Sequence, residues 1–201
     1  MNAENTRATK LLDFQSLPLL RKREGLLSGA KTLRAAIKNL YGFVCKLPLG
    51  YSRNDDVPAS EVLADGYGQC NTKVTLLCAL ARGAGIPTRI HAYELHREVQ
   101  QKRVPVWLVR FMPKTTVFVW PEFYVQGKWI KLQKLVATKP KQWDSCPFDG
   151  ARYQLEPVSR EWIARDLGLW STPDELFRKH KPTVHGWRTI GWRNATTHGR
   201  S

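Results

Sequence analysis

The chain has 201 residues, 42% of them hydrophobic, and carries a formal net charge of +15 with a sequence pI of about 10.0. This length suits one domain with a real core, so we place a single domain over residues 1–201, and no apolar run reaches the about 18 residues of a membrane span. The N-terminal sequence MNAENTRATK lacks the apolar stretch of a secretory signal, so we expect a cytoplasmic protein. The four cysteines form no C-x-x-C pair, so we expect reduced thiols, no metal and no cofactor.

The excess of Lys and Arg is the strongest compositional signal. Charge of this sign favours association with nucleic acid, acidic proteins or anionic membranes. The basic residues are scattered over the whole chain, and no zinc-finger, homeodomain or RNA-recognition pattern is present. The tail carries Trp187 and Trp192 among arginines, a combination that can stack on bases. We favour a solvated basic surface with the tail folded back, and keep nucleic-acid binding as an alternative.

The N-terminal part is predicted to be mainly helical. The apolar segment Leu11–Leu20 contains Pro18, which favours a short packing arm over a long helix. From Ser28 to Cys45, apolar residues recur every three to four positions, which predicts an amphipathic helix. A loop rich in turn formers follows, and the segment Ala59–Ala64 is predicted to form a short helix.

Cys70 is predicted to begin a helix of about 14 residues. Lys73 and Arg82 fall off its apolar stripe, so one face is predicted to pack and the other to contact water. Glycines flank the helix at Gly66, Gly68, Gly83 and Gly85. Unpaired N–H groups at a helix N-terminus favour a thiolate and can bind an oxyanion, so Cys70 is a candidate nucleophile. The alternative is a buried cysteine that packs as a small hydrophobe.

The pattern after this helix changes to extended segments. Four strands are predicted, at Ile90–Tyr93, Val104–Met112, Val117–Val125 and Trp129–Leu132. A further helix is predicted from near Pro157 to Leu167, and Thr172-Pro173 resembles the capped start of another. The predicted fold class is therefore α+β: N-terminal helices, a helix bearing Cys70 packed on an antiparallel sheet of about four strands, and a C-terminal helical extension.

The sequence GYGQC, followed by a helix and then GIPTR, resembles the core motif of the transglutaminase-like superfamily of papain-related cysteine enzymes. In that family the cysteine at the helix start is the nucleophile. A strand with His-Ala-Trp-x-Glu supplies the catalytic histidine, and a strand after a Gly-x-Trp turn supplies the aspartate that orients it. Scaffold positions of this pattern match at Trp120, Glu122, Gly127 and Trp129. Phe118, however, stands at the histidine position and Gln133 at the aspartate position.

The resemblance covers residues 59–135, which we take as the core of the domain. Residues 11–58 then form an N-terminal helical arm, and residues 136–201 form a C-terminal extension. The implied fold is transglutaminase-like, or cysteine-proteinase-like, with Cys70 as the nucleophile and a catalytic triad that lacks two members.

His91 is the candidate replacement base. The sequence HAYE places it on the strand directly after the Cys70 helix, although strand alternation leaves the direction of its side chain undecided. The alternative is a half-buried strand residue without a catalytic role. The residues expected to bind substrate around Cys70 are Tyr67, Gln69, Phe118, Trp120 and Gln133.

Two functions fit this pattern. The first is cysteine-dependent acyl transfer, meaning amide or ring formation or the hydrolysis of an amide or thioester, through an acyl-thioester on Cys70 and with a non-standard base. A peptide, an acyl-thioester or an acidic carrier protein would be the substrate, and the last of these suits the basic surface. The second is a catalytically inactive module that binds a peptide or an acidic protein, with Phe118 filling the cleft. No membrane partner is expected.

Overall fold

The computed structural model of the chain describes residues 3–48, 50, 52, 54–98, 106–110, 113–131 and 160–181. Within these ranges the helices are α1 (Leu17–Leu27), α2 (Leu33–Lys46), α3 (Ala59–Asp65), α4 (Cys70–Gly83), α5 (Val106–Val109) and α6 (Pro173–Lys179). The strands are β1 (Thr88–His96), β2 (Thr115–Val125), β3 (Lys128–Lys131) and β4 (Ile163–Trp170). The α+β class is therefore confirmed. None of the helices in these ranges is long and apolar enough to cross a membrane.

The first two helices differ from their predicted bounds. Pro18 lies in the first turn of α1, where the missing N–H of proline breaks no helical hydrogen bond. The basic segment after Pro18 therefore continues this helix, and the predicted short packing arm is wrong there. α2 begins at Leu33 and not at residue 28, because Thr32 caps it: Thr32 Oγ1 accepts a hydrogen bond from Ala35 N at 3.1 Å. The short helix predicted from Ala59 is confirmed as α3.

α4 is the central helix of the fold. Its predicted length of 14 residues is confirmed, but the prediction of a wet face is wrong, because Lys73 is only 1% exposed and Arg82 only 3% exposed. The reason is that α1, α2 and α3 pack against α4 from one side and the sheet packs against it from the other. Every residue from Asn71 to Arg82 is buried as a result.

The buried guanidinium of Arg82 ties together distant parts of the chain. Its Nε donates to Thr88 Oγ1 at 2.9 Å and one Nη donates to Thr88 O at 2.8 Å. Further bonds reach Glu4 O at 3.0 Å, Arg7 O at 2.8 Å and Ser171 O at 2.5 Å. A buried charge of this kind is tolerated because its donors are satisfied. Arg82 therefore joins the N-terminal segment, α4, β1 and the end of β4.

The sheet has the strand order β3-β2-β1-β4, and all neighbours are antiparallel. Strand alternation divides the residues of β1 and β2 between two faces. One face, which carries Ile90, Ala92, Val117 and Val119, is buried in the core with α4. The opposite face carries His91 and Tyr93 of β1 and Phe118 and Trp120 of β2.

Two segments have the opposite secondary structure from the one predicted. Residues Val106–Val109 form α5, so the predicted strand is wrong there; a short apolar run does not distinguish a strand from a helix. The segment Ile163–Trp170 is β4, where a helix was predicted. Pairing with the free edge of β1 decides its conformation. Leu167 is an extra residue in that ladder, beside Gly168 at φ +76°, and forms a bulge.

The predicted cap of the last helix is confirmed. Thr172 Oγ1 accepts a hydrogen bond from Glu175 N at 3.2 Å, and proline occupies the first turn of α6. The N-terminal segment binds this same turn, because Asp174 Oδ1 accepts from Leu11 N at 3.0 Å and Asp174 Oδ2 accepts from Thr9 Oγ1 at 2.5 Å. The two ends of the described chain thus meet beside β4.

Candidate active site

Cys70 is the first residue of α4 and is partly exposed. The other two cysteines of the described ranges, Cys45 and Cys78, are buried. Burial raises the pKa of Cys78 to about 11, against the smaller opposing effects of Arg82 and Thr88, so Cys78 stays a thiol at neutral pH. Of the thiols that the structure describes, only Cys70 has the exposure that a nucleophile needs.

The turn before Cys70 requires glycine. Gly66 has φ +69° and caps the end of α3 in the left-handed conformation. Gly68 is held by Pro48 O, which accepts from Gly68 N at 3.2 Å. A Cβ on Gly68 would lie 2.7 Å from Thr72 Oγ1 and 3.2 Å from Lys73 Cγ, so a larger residue does not fit. The two glycines of GYGQC therefore bring the chain close against the first turn of α4.

A buried carboxylate holds both sequence neighbours of Cys70. Asp55, which is 1% exposed, accepts hydrogen bonds from Gln69 Nε2 and, at 2.9 Å, from Asn71 Nδ2. Gln69 Oε1 in turn accepts from Ser52 N at 2.8 Å. The residues on either side of Cys70 are thus held by one acid. The sequence offered no signal for Asp55 beyond a loop rich in turn formers.

The side chain of Asn71 also binds the edge of β2. Its Nδ2 donates to Val117 O at 2.8 Å, and its Oδ1 accepts from Val119 N at 3.1 Å. The backbone N–H and C=O groups of successive residues in an antiparallel strand point to opposite edges of the strand. Tyr124 N donates to Pro87 O on the β1 side, so Val117 and Val119, which lie an odd number of positions away, point to the opposite edge. Asn71 therefore occupies the other edge, with which β3 pairs further along. This contact places the start of α4 beside residue 118.

The carboxylate of Asp55 is expected to be essential for the position of Cys70. In Asp55→Asn, an amide N–H₂ replaces one acceptor oxygen and faces a donor, so we expect a loss of about 1–3 kcal/mol in the free energy of unfolding. Slower alkylation of Cys70 should accompany it. Denaturant unfolding and peptide mass spectrometry measure the two effects. Asp56→Asn, at the exposed neighbouring position, is the matched control. Equal behaviour of the two variants would show that Asp55 has no such role.

The side of the sheet that faces away from the core carries a row of partly exposed rings. Phe118 pairs with Tyr93, and Trp120 pairs with His91, across β2 and β1. The ring centroids of His91 and Tyr93 are 4.2 Å apart, and those of Tyr93 and Trp120 are 4.9 Å apart. Phe118 lies 6.3 Å from Trp120. His91 thus shares a face with Phe118, which stands at the histidine position of the resemblance.

His91 forms a pair with a carboxylate from β4. Its Nε2 lies 2.8 Å from Asp166 Oδ1, and its Nδ1 lies 3.2 Å from the Tyr93 hydroxyl. Burial, together with Asp166 and Glu122, raises the pKa of Tyr93 to about 12, so the phenol keeps its proton and can donate to Nδ1. When Nδ1 of the neutral imidazole accepts this hydrogen bond, the ring proton is on Nε2, which donates to Asp166. Sequence reasoning missed Asp166 because its segment was predicted to be a helix.

Cys70 and His91 lie on different sides of β2. The start of α4 contacts the edge of β2 that faces away from β1, whereas His91 is on β1 itself. Phe118 is therefore on the strand next to the helix start, and His91 is one strand further away. Glu122, a scaffold residue of the motif, accepts a hydrogen bond from Arg89 Nε at 2.6 Å.

The remaining predicted site residues have different positions. Tyr67 is partly exposed, and its ring packs so closely on Gly50 that a Cβ there would overlap it. Gln69 is only 4% exposed and faces Asp55. Gln133 lies outside the described residues. Across the ranges that the structure describes, no group of three or more His, Cys, Asp or Glu side chains could hold a metal ion.

The transglutaminase-like superfamily core model matches residues 21–133 of the chain. Because this match covers more than half of the sequence, the chain belongs to the transglutaminase-like superfamily. Among solved structures, a candidate cysteine protease from Cytophaga hutchinsonii is similar to it, with a TM-score of 0.49 and 13% sequence identity. That similarity covers 65% of this chain and 42% of the other protein, so the chain spans less than half of that protein's length. No curated protein matches the chain.

Proposed function

We propose that this protein is a cysteine-dependent enzyme that transfers or hydrolyses an acyl group through Cys70. The observation that carries the proposal is the setting of this thiol, which is partly exposed at the first residue of α4. Asp55 holds the side chains on both sides of it. The first N–H groups of an α-helix have no intrahelical partner, so they can stabilise an oxyanion beside the thiol.

The reaction proceeds in two steps. The Cys70 thiolate attacks the carbonyl carbon of the substrate, the new C–S bond forms, and the amine or thiol leaves. A thiol leaves as its thiolate without needing a proton, whereas an amine takes a proton from water as the C–N bond breaks. In the second step, water or an amine attacks the acyl-thioester, the C–S bond breaks, and a base accepts the proton of the attacking group. Hydrolysis and amide or ring formation differ only in this acceptor.

His91 is the base in this proposal, with Asp166 as the carboxylate that orients it. Since β2 separates His91 from the start of α4 and the Tyr93 hydroxyl binds its Nδ1 at 3.2 Å, we assign His91 to the second step through a relay: the Tyr93 hydroxyl gives its proton to Nδ1 and receives one from the attacking water or amine through bridging water. Asp166 favours the imidazolium that this step forms, as a carboxylate does in other histidine-dependent sites. Asp166 is 56% exposed, and Gly168 N donates to it at 2.8 Å, which restrains its position.

A peptide, an acyl-thioester or an acidic carrier protein is the proposed substrate. The net charge of +15 favours an acidic partner. Phe118, Trp120 and Tyr67 are the proposed contacts for the acyl group, because each has a partly exposed ring on or next to the strand and turn that approach Cys70. Gln69 acts by positioning Cys70, in keeping with its bond to Asp55, and Gln133 remains a proposed contact from sequence alone.

Trapping the acyl-enzyme tests the proposed function. After incubation with an acyl thioester of N-acetylcysteamine and with acyl-loaded acidic carrier protein, we expect peptide mass spectrometry to find the acyl group on Cys70. Cys70→Ala should lose both the adduct and turnover, while Cys45→Ala, at a buried thiol, is the matched control. Unchanged turnover in Cys70→Ala would exclude the mechanism.

The second candidate function is a binding module without catalysis. The observation that favours it is the aromatic residue Phe118 on the strand next to the start of α4, within the row of rings formed with Trp120, Tyr93 and His91. Such a surface can bind a peptide without bond cleavage. In that case Cys70→Ala would bind an acidic partner as tightly as the wild-type protein, and no acyl adduct would form with any donor.

A further inference from the structure

Lys73 is an ionisable side chain in the core that the mechanism above does not use. It belongs to α4, three residues after Cys70, and is among the largest fully buried side chains of the described chain. Burying an ammonium away from water is costly unless acceptors or opposite charges surround it. A lysine in this position therefore needs partners within the core.

The described partners of Lys73 lie around the first turn of α4. Its Nζ donates to Leu47 O at 2.5 Å, which uses one of three N–H donors. Its stem passes Gly68, since a Cβ on that glycine would lie 3.2 Å from Lys73 Cγ. Residues three apart on a helix are neighbours on one face, so Lys73 and Cys70 share the side towards this turn. Lys73 thus lies about one helical turn after the nucleophile, with its stem against the glycine turn that precedes Cys70.

Two thiols act electrostatically on Lys73. Burial, the largest effect, lowers the pKa of Lys73, while Cys70 and Cys45 raise it, as anions near an ammonium do. Cys45 is buried in the last turn of α2, where the helix dipole opposes a negative charge. Cys70 is at the first residue of α4, where the dipole favours one. Of the two, Cys70 is therefore the thiol at the helix end that favours a negative charge.

We propose that Lys73 is a positioning residue that acts through Cys70, holding it as a thiolate in place of the missing histidine at position 118. This inference rests on the proposed function, in which Cys70 is the nucleophile. The Cys70 thiol gives its proton to solvent, and the Lys73 ammonium stabilises the thiolate that remains, so Lys73 supplies a charge and does not itself take the proton. His91 then has only the second step to assist, which agrees with its place beyond β2.

The test compares the rate at which iodoacetamide alkylates Cys70 between pH 6 and pH 10.5, measured peptide by peptide with mass spectrometry. We expect Lys73→Met and Lys73→Gln to react about tenfold more slowly than the wild type at pH 7 and at nearly the same rate at pH 10.5. Lys73→Gln keeps a neutral donor for Leu47 O, so it separates the charge from the hydrogen bond. Lys73→Arg should stay within about twofold of the wild type, because it keeps the charge. Lys38→Met, on the exposed side of α2, is the control.

The inference would be overturned if both neutral variants were alkylated at the wild-type rate at pH 7. It would also be overturned if their alkylation were slowed equally at pH 7 and pH 10.5, because this would indicate that iodoacetamide reaches Cys70 less easily. If the neutral variants do not fold, the absorbance of the thiolate near 240 nm still tests the inference, because a wild type that does not exceed Cys70→Ser at pH 7 would overturn it. Alkylation needs no substrate. A Lys73-dependent thiolate with unchanged turnover in Cys70→Ala would therefore contradict the proposed function and leave this inference intact.

Discussion

Replacing Phe118 by histidine is expected to raise the rate of acyl transfer from a thioester to water at pH 7 by about a hundredfold. General-base catalysis by a positioned imidazole contributes factors of this size. Position 118 lies between Val117 and Val119, whose backbone groups bind Asn71, the residue next to Cys70. An imidazole at this position would therefore stand one strand closer to the thiol than His91 does.

The controls distinguish the effect of adding a general base at position 118 from the effect of removing the phenylalanine ring. Phe118→Ala opens the same volume without adding a titratable group, and Phe118→His with Cys70→Ala retains the new histidine but lacks the thiol. Both controls are expected to hydrolyse the thioester no faster than the wild-type protein. A Phe118→His rate equal to that of Phe118→Ala would show that the lost histidine is not what limits this site. Absence of turnover in every variant would favour the binding module.

The largest effect on stability is expected for Arg82→Met. The substitution removes every donor to Thr88, Glu4, Arg7 and Ser171 while their acceptor oxygens stay in place. Breaking a buried charged network from one side typically costs about 3–5 kcal/mol in the free energy of unfolding. Chemical denaturation followed by tryptophan fluorescence measures this loss. The methionine occupies most of the arginine volume, so the effect of a cavity stays small.

Arg21→Met is the matched control, because Arg21 is exposed on α1. Its unfolding free energy should stay within about 0.5 kcal/mol of the wild-type value. Arg82→Lys should recover only part of the loss, since an ammonium has three donors and no fork to span the five acceptors. A loss below about 1 kcal/mol in Arg82→Met would mean that the segments it joins are held by their other contacts.

The Cys70 helix and the strand containing Phe118 were predictable because each has a strong local pattern. The apolar periodicity and flanking glycines of α4 gave its length, and the scaffold residue Trp120 located β2. The family match begins at residue 21, so it includes the last seven residues of α1 and all of α2, which lie outside the segment 59–135 that carries the sequence motifs.

Three polar residues of the site could not be predicted, since their roles depend on contacts between distant segments. Asp55 lies in a turn-rich loop and gains its role from Asn71, and Asp166 gains its role from pairing between β4 and β1. Lys73 was expected in water because helical periodicity counts only one apolar stripe. Periodicity records which residues are apolar, and not how many elements surround a helix.

The pairing of β1 with β4 also sets an order for synthesis on the ribosome. β1 ends at residue 96, but its partner begins only at Ile163, so the nascent chain carries an unpaired strand edge while the intervening residues are made. Open edges of this kind are templates for pairing with other chains. Polypeptides cut before residue 163 should consequently associate through β1, whereas chains that extend beyond β4 should not.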